Sequence, residues 1–301
     1  MSELTPLQEK FAAICGDVRY NEPMNKHTSF RIGGPAEVMI FPKNKDELSG
    51  ALKLCKTIGI TPAILGAGTN VLAPDAGISG LVICLKDALD GMELLDDTRV
   101  KIMAGVTMTR GAVFAANHGL SGLEFAHGIP GTVGGGVYMN AGAYGGEIKD
   151  VAVSVEVMDR DGNIRQVTGE EMGFSYRHSC LEDTGDIVIS ATFKLTKDDP
   201  EVIKTKMREL QAKRSASQPL DLPSAGSAFK RPVGGYAAAL IDQAGLKGFQ
   251  VGDAAISTKH AGFAVNVGDA TAEDVKNLLK QVSDIVFEKS GIRLEPEVRI
   301  W

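Results

Sequence analysis

The stretch FAHGIPGTVGGGVYMNAGAYGG, residues 125–146, contains 22 residues without a single Asp, Glu, Lys or Arg. Its length would suffice to span a bilayer. Eight of these residues are glycine, however, and Pro130 and Asn140 interrupt the stretch as well. Glycine forfeits side-chain packing and costs backbone entropy in a regular element. We therefore predict a loop system here and not a membrane helix.

The densest part of this stretch is Gly128–Gly136, with five glycines in nine positions. We expect a pyrophosphate or a flat ring to press against the main chain there, because glycine permits such a close approach. The alternative is a flexible linker. Ile129, Pro130 and Val133 are stiff or apolar, unlike the residues of a Gly/Ser tether, and they disfavour that alternative.

Glycine is over-represented in the whole chain, with 35 among 301 residues, or about 12% against the usual ~7%. The glycines lack the three-residue period of collagen, and 44% hydrophobic residues exclude general disorder. The length suits roughly two globular domains.

A net charge of −6 without basic runs disfavours a nucleic-acid partner. Four scattered cysteines and an acidic start without an apolar segment indicate reduced thiols and no secretion signal.

Local signals predict an α and β mixture. Asn44 is expected to cap a helix that stops at Gly59, between strands at 38–41, 62–65 and 81–85. Thr5 and Thr271 are expected to cap two further helices, and Asp161-Gly162 is expected to form a two-residue hairpin turn. The remaining predicted helices cover 107–117 and 200–213, and the remaining strands cover 100–104, 153–158, 164–167, 187–195 and 292–300.

A second glycine loop, Gly66-Ala67-Gly68-Thr69-Asn70, follows a predicted strand. It is not the Rossmann fingerprint, because the third glycine is missing and no helix follows. Consecutive N–H groups in a tight turn can still form an anion-binding nest. A plain glycine turn is an equally open interpretation.

The local residue pattern alone assigns no function to three polar segments. Ser227 lies among small residues, but Phe229 excludes the G-x-S-x-G elbow of hydrolases, so an ordinary turn is favoured. Arg177 and His178 are typical of surface or hydrogen-bonded positions. In the predicted last strand, alternation places four charged residues on one face, where an ion-pair ladder is more usual than a catalytic carboxylate: Arg293, Glu295, Glu297 and Arg299.

Taken together, these segments resemble the UDP-N-acetylenolpyruvoylglucosamine reductase family (UDP-N-acetylmuramate dehydrogenases). The motifs that carry the resemblance stand in the family's order and extend from about residue 25 to 300: GAGTN, HGIPGTVGGGVYMNAGAYGGEI, FSYRHS, PSAGSAFKRP, KHAGFAVN and LEPEVRI. The chain is similar to the shorter subtype, because residues 177–187 leave no room for the extra tyrosine-bearing loop of the longer one.

The resemblance implies an α+β fold, with an FAD-binding module of the vanillyl-alcohol-oxidase (PCMH) type in two lobes and a C-terminal α+β substrate-binding domain. The predicted division is 1–88 for the first lobe, 89–205 for the second and 206–301 for the substrate domain, whose last strand is able to return towards the lobes. FAD would be bound non-covalently.

The resemblance also implies a reaction, the reduction of the enolpyruvyl ether of UDP-N-acetylglucosamine-enolpyruvate to UDP-N-acetylmuramate in peptidoglycan synthesis. NADPH would reduce FAD, and hydride would then pass to the methylene carbon of the ether. In the family's pattern Arg177 and Glu297 would stabilise the enolate, and Ser227 would protonate it. Glu297 would have to be protonated or share a proton, and Glu295 is its rival on the same predicted face.

Other residues are expected to bind the ligands. The backbone of the two glycine segments would hold FAD: Leu65, Gly66, Ala67, Gly68, Thr69, Asn70, Gly128, Ile129, Pro130, Gly131, Thr132, Gly134 and Gly135. Thr69 replaces the serine of many relatives and keeps the hydroxyl. The candidates for holding the sugar nucleotide, which would otherwise be surface ion pairs and turn residues, are Lys230, Arg214, His260 and Asn266.

We expect no metal, no membrane insertion, a monomer and a bacterial cytoplasmic location. Three alternatives stay open at this point. Another flavin enzyme of the same superfamily would favour a flavin linked to His27 or His127. A flavin carrier without catalysis would be yellow but would not be reduced by NADPH, and a structural protein with glycine turns would carry no chromophore.

Overall fold

The computed structural model describes residues 6–301 and groups the chain into two compact units, each assembled from separated segments. The first unit comprises residues 6–20, Val38–Ala67 and Gly80–Ala212, and the second comprises Asn21–Glu37, Gly68–Ser79 and Lys213–Trp301. The predicted division into three consecutive pieces stays a prediction. Thr5, the predicted helix cap, lies outside the described residues.

The described residues form eight α-helices: α1 Pro6–Ala12, α2 Lys45–Ile58, α3 Met108–Asn117, α4 Val133–Tyr138, α5 Leu181–Thr184, α6 Pro200–Ser217, α7 Ala237–Gln243 and α8 Ala272–Ser290. Short 3-10 turns cover Met24–Lys26, Glu124–Ala126 and Ile148–Asp150. None of the helices in this part of the chain is long and apolar enough to cross a membrane. Residues 125–146 form no membrane helix and break into short elements, as predicted, but Val133–Tyr138 are helical where a loop was expected.

The strands of the same region are numbered in chain order: β1 Val18–Pro23, β2 Pro35–Ile40, β3 Ala63–Leu65, β4 Val71–Leu72, β5 Ile78–Cys84, β6 Met92–Leu94, β7 Arg99–Met103, β8 Leu120–Ser121, β9 Gly142–Ala143, β10 Gly146–Glu147, β11 Ala152–Met158, β12 Ile164–Thr168, β13 Ile187–Lys194, β14 Thr196–Lys197, β15 Ser224–Ser227, β16 Gln250–Val251, β17 Ala254–Ile256, β18 Phe263–Asn266 and β19 Arg299–Ile300.

The first unit contains a five-stranded antiparallel sheet in the order β12-β11-β13-β7-β6. It also contains most of a four-stranded sheet in the order β1-β2-β5-β3, in which β3 and β5 are parallel. The predicted β-α-β arrangement around α2 is therefore confirmed. Asn44 caps α2 by accepting a hydrogen bond from the Glu47 N–H, and Gly59 ends it in the left-handed conformation, as predicted.

The second unit contains the antiparallel sheet β15-β18-β17-β16, packed against α8. Thr271 caps α8 in a reciprocal arrangement with Asp274, and Gly291 ends it, as the sequence predicted. The apolar stripe of α8 is buried with Phe30 and Leu72. β4 and β19 pair in parallel in this unit, so Val71 lies beside Arg299.

Two local predictions were wrong in extent. The β11–β12 hairpin exists, but its loop has five residues, because Met158 pairs with Ile164. The Asp159 carboxylate stabilises this longer loop by accepting from the backbone N–H groups of Asp161 and Asn163. The predicted strand over 292–300 is reduced to β19. Pro296 has no N–H to donate to a ladder, and it makes only an isolated bridge to Phe229.

The four cysteines are free thiols, as predicted, and three of them are buried. Burial raises the pKa of Cys15 to about 12 and the pKa of Cys55 and of Cys84 to about 11. Because the thiolate is the reactive form, these three groups are chemically quiet at neutral pH. They serve as small apolar packing residues of the first unit.

Candidate active site

The two glycine segments predicted to bind FAD touch each other in the first unit. β3 ends at Leu65, and a Cβ added to the next residue, Gly66, would lie 2.5 Å from Oγ1 of Thr132. Thr132 also caps α4, because its Oγ1 accepts a hydrogen bond from the Gly135 N–H at 3.4 Å. Glycine at position 66 is therefore required for this close approach.

Backbone donors are available on both sides of this contact. Within residues 6–301, the N–H groups of Gly66, Ala67, Gly128 and Gly131 make no hydrogen bond to another protein group. Closely spaced N–H groups of this kind form a nest that suits a phosphate. The chemistry of the two segments thus fits the pyrophosphate of a dinucleotide, and residues 65–70 and 128–136 themselves include no Lys or Arg.

Two glycines of the segment predicted to bind FAD have a role in helix packing. Gly134 and Gly136 lie inside α4, where added Cβ atoms would come within 2.9 Å of the Ala104 Cβ and 2.7 Å of the Met108 sulfur. The predicted loop is a helix over Val133–Tyr138, because these glycines let α4 approach its neighbours closely. The Gly134 N–H donates to the Ala104 carbonyl, so its assignment to FAD stays a prediction.

His127 lies at the start of the same segment. Its Nδ1 atom is buried and has no hydrogen-bond partner among the described residues. Burial lowers the pKa of His127, so the imidazole is neutral at pH 7. Its backbone carbonyl accepts a hydrogen bond from the Thr109 hydroxyl at 2.5 Å. His27, the other histidine considered for flavin attachment, belongs to the second unit and contacts Glu22 at 2.8 Å.

Arg177 occupies a tight turn of the first unit. The N–H groups of Ser175 and His178 donate to each other's carbonyls across the turn. Arg177 itself has φ of +56°, a conformation that is costly for a residue with a side chain. Its guanidinium lies 4.9 Å from the centre of the Tyr176 ring. The turn thus fixes the backbone from which the arginine side chain extends.

Ser227 and Glu297 are brought together in the second unit. Ser227 ends β15, and Gly226 before it has φ of +77°. The next residue, Ala228, accepts a hydrogen bond from the Glu297 N–H at 2.9 Å. The Glu297 carbonyl in turn accepts from the Asn70 side chain at 3.2 Å. The serine segment, the glutamate segment and the end of the second glycine loop therefore form one hydrogen-bonded cluster.

Comparison with known proteins identifies the family. A model described as the C-terminal domain of UDP-N-acetylenolpyruvoylglucosamine reductase matches residues 218–301, and one described as an FAD binding domain matches residues 36–168. The reductase of Caldanaerobacter subterraneus is 47% identical over 95% of this chain and 94% of its own. That of Streptococcus thermophilus is 45% identical over 99% and 96%. The chain belongs to the UDP-N-acetylenolpyruvoylglucosamine reductase family.

A solved reductase of this family, from Thermus caldophilus, superposes with a TM-score of 0.80 at 37% identity, covering 95% of this chain and 98% of its own. An alkyldihydroxyacetonephosphate synthase superposes with a TM-score of 0.52 over 65% of this chain and 41% of its own. At 16% identity that likeness concerns the fold alone. The predicted fold class, an FAD-binding module of the vanillyl-alcohol-oxidase type with a C-terminal domain, is confirmed, and so is FAD as the cofactor.

The rival glutamate of this reductase has a partner of its own. Glu295 is 70% exposed and forms an ion pair with Lys230, and the Lys230 N–H donates to the Glu295 carbonyl. Glu297 is half-buried. The shared face predicted for the two carboxylates depended on a continuous strand, which the structure does not have. Lys230, offered as a substrate contact, is thus paired to Glu295.

The remaining substrate candidates of the reductase lie in the second unit. Arg214 is buried near the end of α6 and donates to the Gln218 side chain. Burial lowers the pKa of His260, whose Nδ1 accepts from the Gly262 N–H, so Nε2 carries the proton. The Asn266 amide donates to the Phe30 carbonyl and accepts from Gly268 and Ala270, which gives it a structural task. Their contacts with a sugar nucleotide stay predictions.

The sequence did not indicate the role of one buried residue whose side chain makes three hydrogen bonds. Asn140 is fully buried, and its side-chain amide donates to the carbonyl of Ser175, the residue that begins the Arg177 turn. A single asparagine within a glycine-rich motif has no local signature that would distinguish it from a turn residue. Only the tertiary structure reveals this contact.

Proposed function

We propose that this chain reduces UDP-N-acetylglucosamine-enolpyruvate to UDP-N-acetylmuramate with NADPH as the hydride donor, and so supplies a precursor of peptidoglycan. The family membership and the FAD-binding module support the reaction. The single observation that carries the assignment of residues is the hydrogen bond between Glu297 and Ala228, because it keeps the predicted carboxylate next to the predicted proton donor, Ser227.

Bound FAD would supply the redox chemistry, the transfer of hydride from NADPH to the methylene carbon of the enolpyruvyl ether. We assign the N–H groups of Gly66, Ala67, Gly128 and Gly131 to the pyrophosphate of FAD. These groups are fixed before the ligand binds, because Thr132 caps α4 and contacts Gly66. Pre-oriented dipoles stabilise charge without a reorganisation cost.

The protein's own groups act on the negative charge that hydride addition creates. The electron pair of the double bond moves to the neighbouring carbon and spreads into the carboxylate as an enolate. Arg177 donates two hydrogen bonds to that carboxylate, and these bonds strengthen as charge accumulates. We assign Glu297 to the same stabilisation, because its segment is hydrogen-bonded beside Ser227. The Ser227 hydroxyl then transfers its proton to the carbon and recovers a proton from solvent.

An anaerobic titration tests the function as a whole. NADPH is expected to bleach the flavin absorbance of the purified protein, and the enolpyruvyl sugar nucleotide is expected to restore it with one equivalent of substrate consumed per flavin. Bleaching without recovery would contradict the proposed substrate. If NADPH does not reduce the bound flavin, the proposed activity is contradicted.

Glu297→Gln and Glu295→Gln separate the two carboxylates. We expect Glu297→Gln to slow flavin reoxidation by about 10²-fold, the lower end of what a positioned proton-bearing group contributes. Glu295→Gln is expected to stay within about threefold of the wild type, because an exposed ion pair such as Glu295–Lys230 contributes little. Stopped-flow measurement of reoxidation decides, and the opposite order of effects would assign the role to Glu295.

We further propose that the enzyme works as a monomer in the bacterial cytoplasm. Free thiols suit a reducing compartment, and the relatives named above come from bacteria.

A further inference from the structure

The segment that follows α4 is connected to the Arg177 turn by one buried side chain. Asn140 Nδ2 donates to the Ser175 carbonyl at 2.9 Å and to Glu147 Oε2 at 2.7 Å, and Oδ1 accepts from the Lys149 N–H at 2.9 Å. Both amide protons and the carbonyl oxygen are thus engaged, and Asn140 is 0% exposed. A fully satisfied buried amide has a single orientation, since any rotation leaves a polar group unpaired.

The Arg177 turn needs such an external support. Arg177 lies in the left-handed region, which is unfavourable for a residue with a Cβ. Such a conformation persists only where the surroundings fix it. The cross-turn bonds between Ser175 and His178 close the turn, but they do not attach it to the rest of the unit. The Asn140–Ser175 bond provides that attachment at the turn's first residue.

We propose that Asn140 is a positioning residue for the reductase reaction, which holds the Arg177 turn in the orientation that presents the guanidinium to the substrate carboxylate. The inference rests on the proposed role of Arg177. Asn140 itself touches no substrate, and it acts through the Ser175 carbonyl. It also couples the turn to α4, because the Asn140 N–H donates to the Val137 carbonyl at 3.1 Å.

Asn140→Gly is the most informative substitution. Asn140 has φ of +42°, and glycine adopts that conformation without strain, so the variant removes the amide and spares the backbone. We expect it to slow flavin reoxidation by the enolpyruvyl sugar nucleotide by about 10–100-fold, because a displacement of about 1 Å costs up to 10²-fold in rate. Flavin reduction by NADPH and the FAD content are expected to stay at wild-type levels.

Asn140→Asp is a second variant in case the glycine substitution prevents folding. It keeps the shape and the acceptor for the Lys149 N–H, but it cannot donate to the Ser175 carbonyl when ionised. The expected loss is again confined to flavin reoxidation.

Ser179→Ala is the matched structural control. The Ser179 hydroxyl donates to the Tyr138 carbonyl at 2.8 Å and is fully buried. It therefore ties the same two segments together without touching Ser175. We expect a lowered Tm but flavin reoxidation within about threefold of the wild type. Equal losses of reoxidation rate in Asn140→Gly and Ser179→Ala would show a merely structural role and overturn the proposal.

A double-variant cycle with Arg177→Ala separates the positioning role of Asn140 from the proposed catalytic role of Arg177. If Asn140 acts through Arg177, adding Asn140→Gly to Arg177→Ala has no further effect on reoxidation. Multiplication of the two separate losses would overturn the positioning role. If Arg177→Ala alone reoxidises its flavin normally, the proposed role of Arg177 fails, whatever Asn140 does. A normal Asn140→Gly beside an impaired Arg177→Ala refutes only the positioning role.

Discussion

Ser227→Ala is expected to reduce its flavin with NADPH at the wild-type rate and to lose flavin reoxidation by the enolpyruvyl substrate by about 10²–10⁴-fold, the range that a positioned proton donor contributes. The reason is that the Ser227 proton is needed only after hydride has reached the substrate. The serine lies at the end of β15 beside Gly226 in the left-handed conformation, so its backbone is fixed and alanine should not alter it.

Stopped-flow absorbance of the two half-reactions, measured separately and without oxygen, checks this expectation. Ser224→Ala is a suitable control, because Ser224 begins the same strand and accepts only a weak 3.4 Å bond from the Gly226 N–H through its hydroxyl. It should behave as the wild type in both half-reactions. Equal losses in reduction and reoxidation for Ser227→Ala would remove Ser227 from the protonation step.

Gly66→Ala is expected to weaken FAD binding. The new Cβ would lie 2.5 Å from Thr132 Oγ1, so the two segments that present N–H groups to the cofactor must move apart. Overpacking of this kind costs about 1–3 kcal/mol, which corresponds to roughly five- to 150-fold in affinity. The ratio of flavin to protein absorbance after dialysis reports the loss, and circular dichroism reports whether the fold persists.

Gly16→Ala provides the comparison for this variant. Gly16 is exposed, and a Cβ there meets no atom within 4 Å. The control should retain its full complement of FAD. A Gly66→Ala protein that holds FAD as tightly as the control would show that the Gly66–Thr132 contact is not part of the cofactor site.

The features that could be predicted from sequence are those decided by neighbouring residues. The caps of α2 and α8 depend on Asn44 and Thr271 and on atoms within one turn of them, so they follow from local chemistry. α4 could not be predicted, because glycine has low helix propensity. That helix exists through its packing against Ala104 and Met108, which are distant in sequence.

Alternation over 292–300 predicted a strand, but a strand also needs a partner along its whole length, and only β19 has one. The catalytic assignments show the same limit. The local residue pattern favoured an ordinary turn for Ser227 and a surface or hydrogen-bonded position for Arg177. Their catalytic roles were assigned from the family resemblance. Neither the local pattern nor the family resemblance indicated a role for Asn140, because its contact with Ser175 spans 35 residues and depends on the final packing.

The segmented make-up of the second unit has a consequence for protein synthesis. Asn70 must find Glu297, 227 positions later, and Asn21–Glu37 must likewise find partners after position 212. Between these segments, the ribosome delivers nearly the whole of the first unit. Domains generally fold as they emerge, and late pairings across long loops are slow. The flavin-binding half of the nascent reductase should therefore mature first, while the residues assigned to proton delivery assemble last.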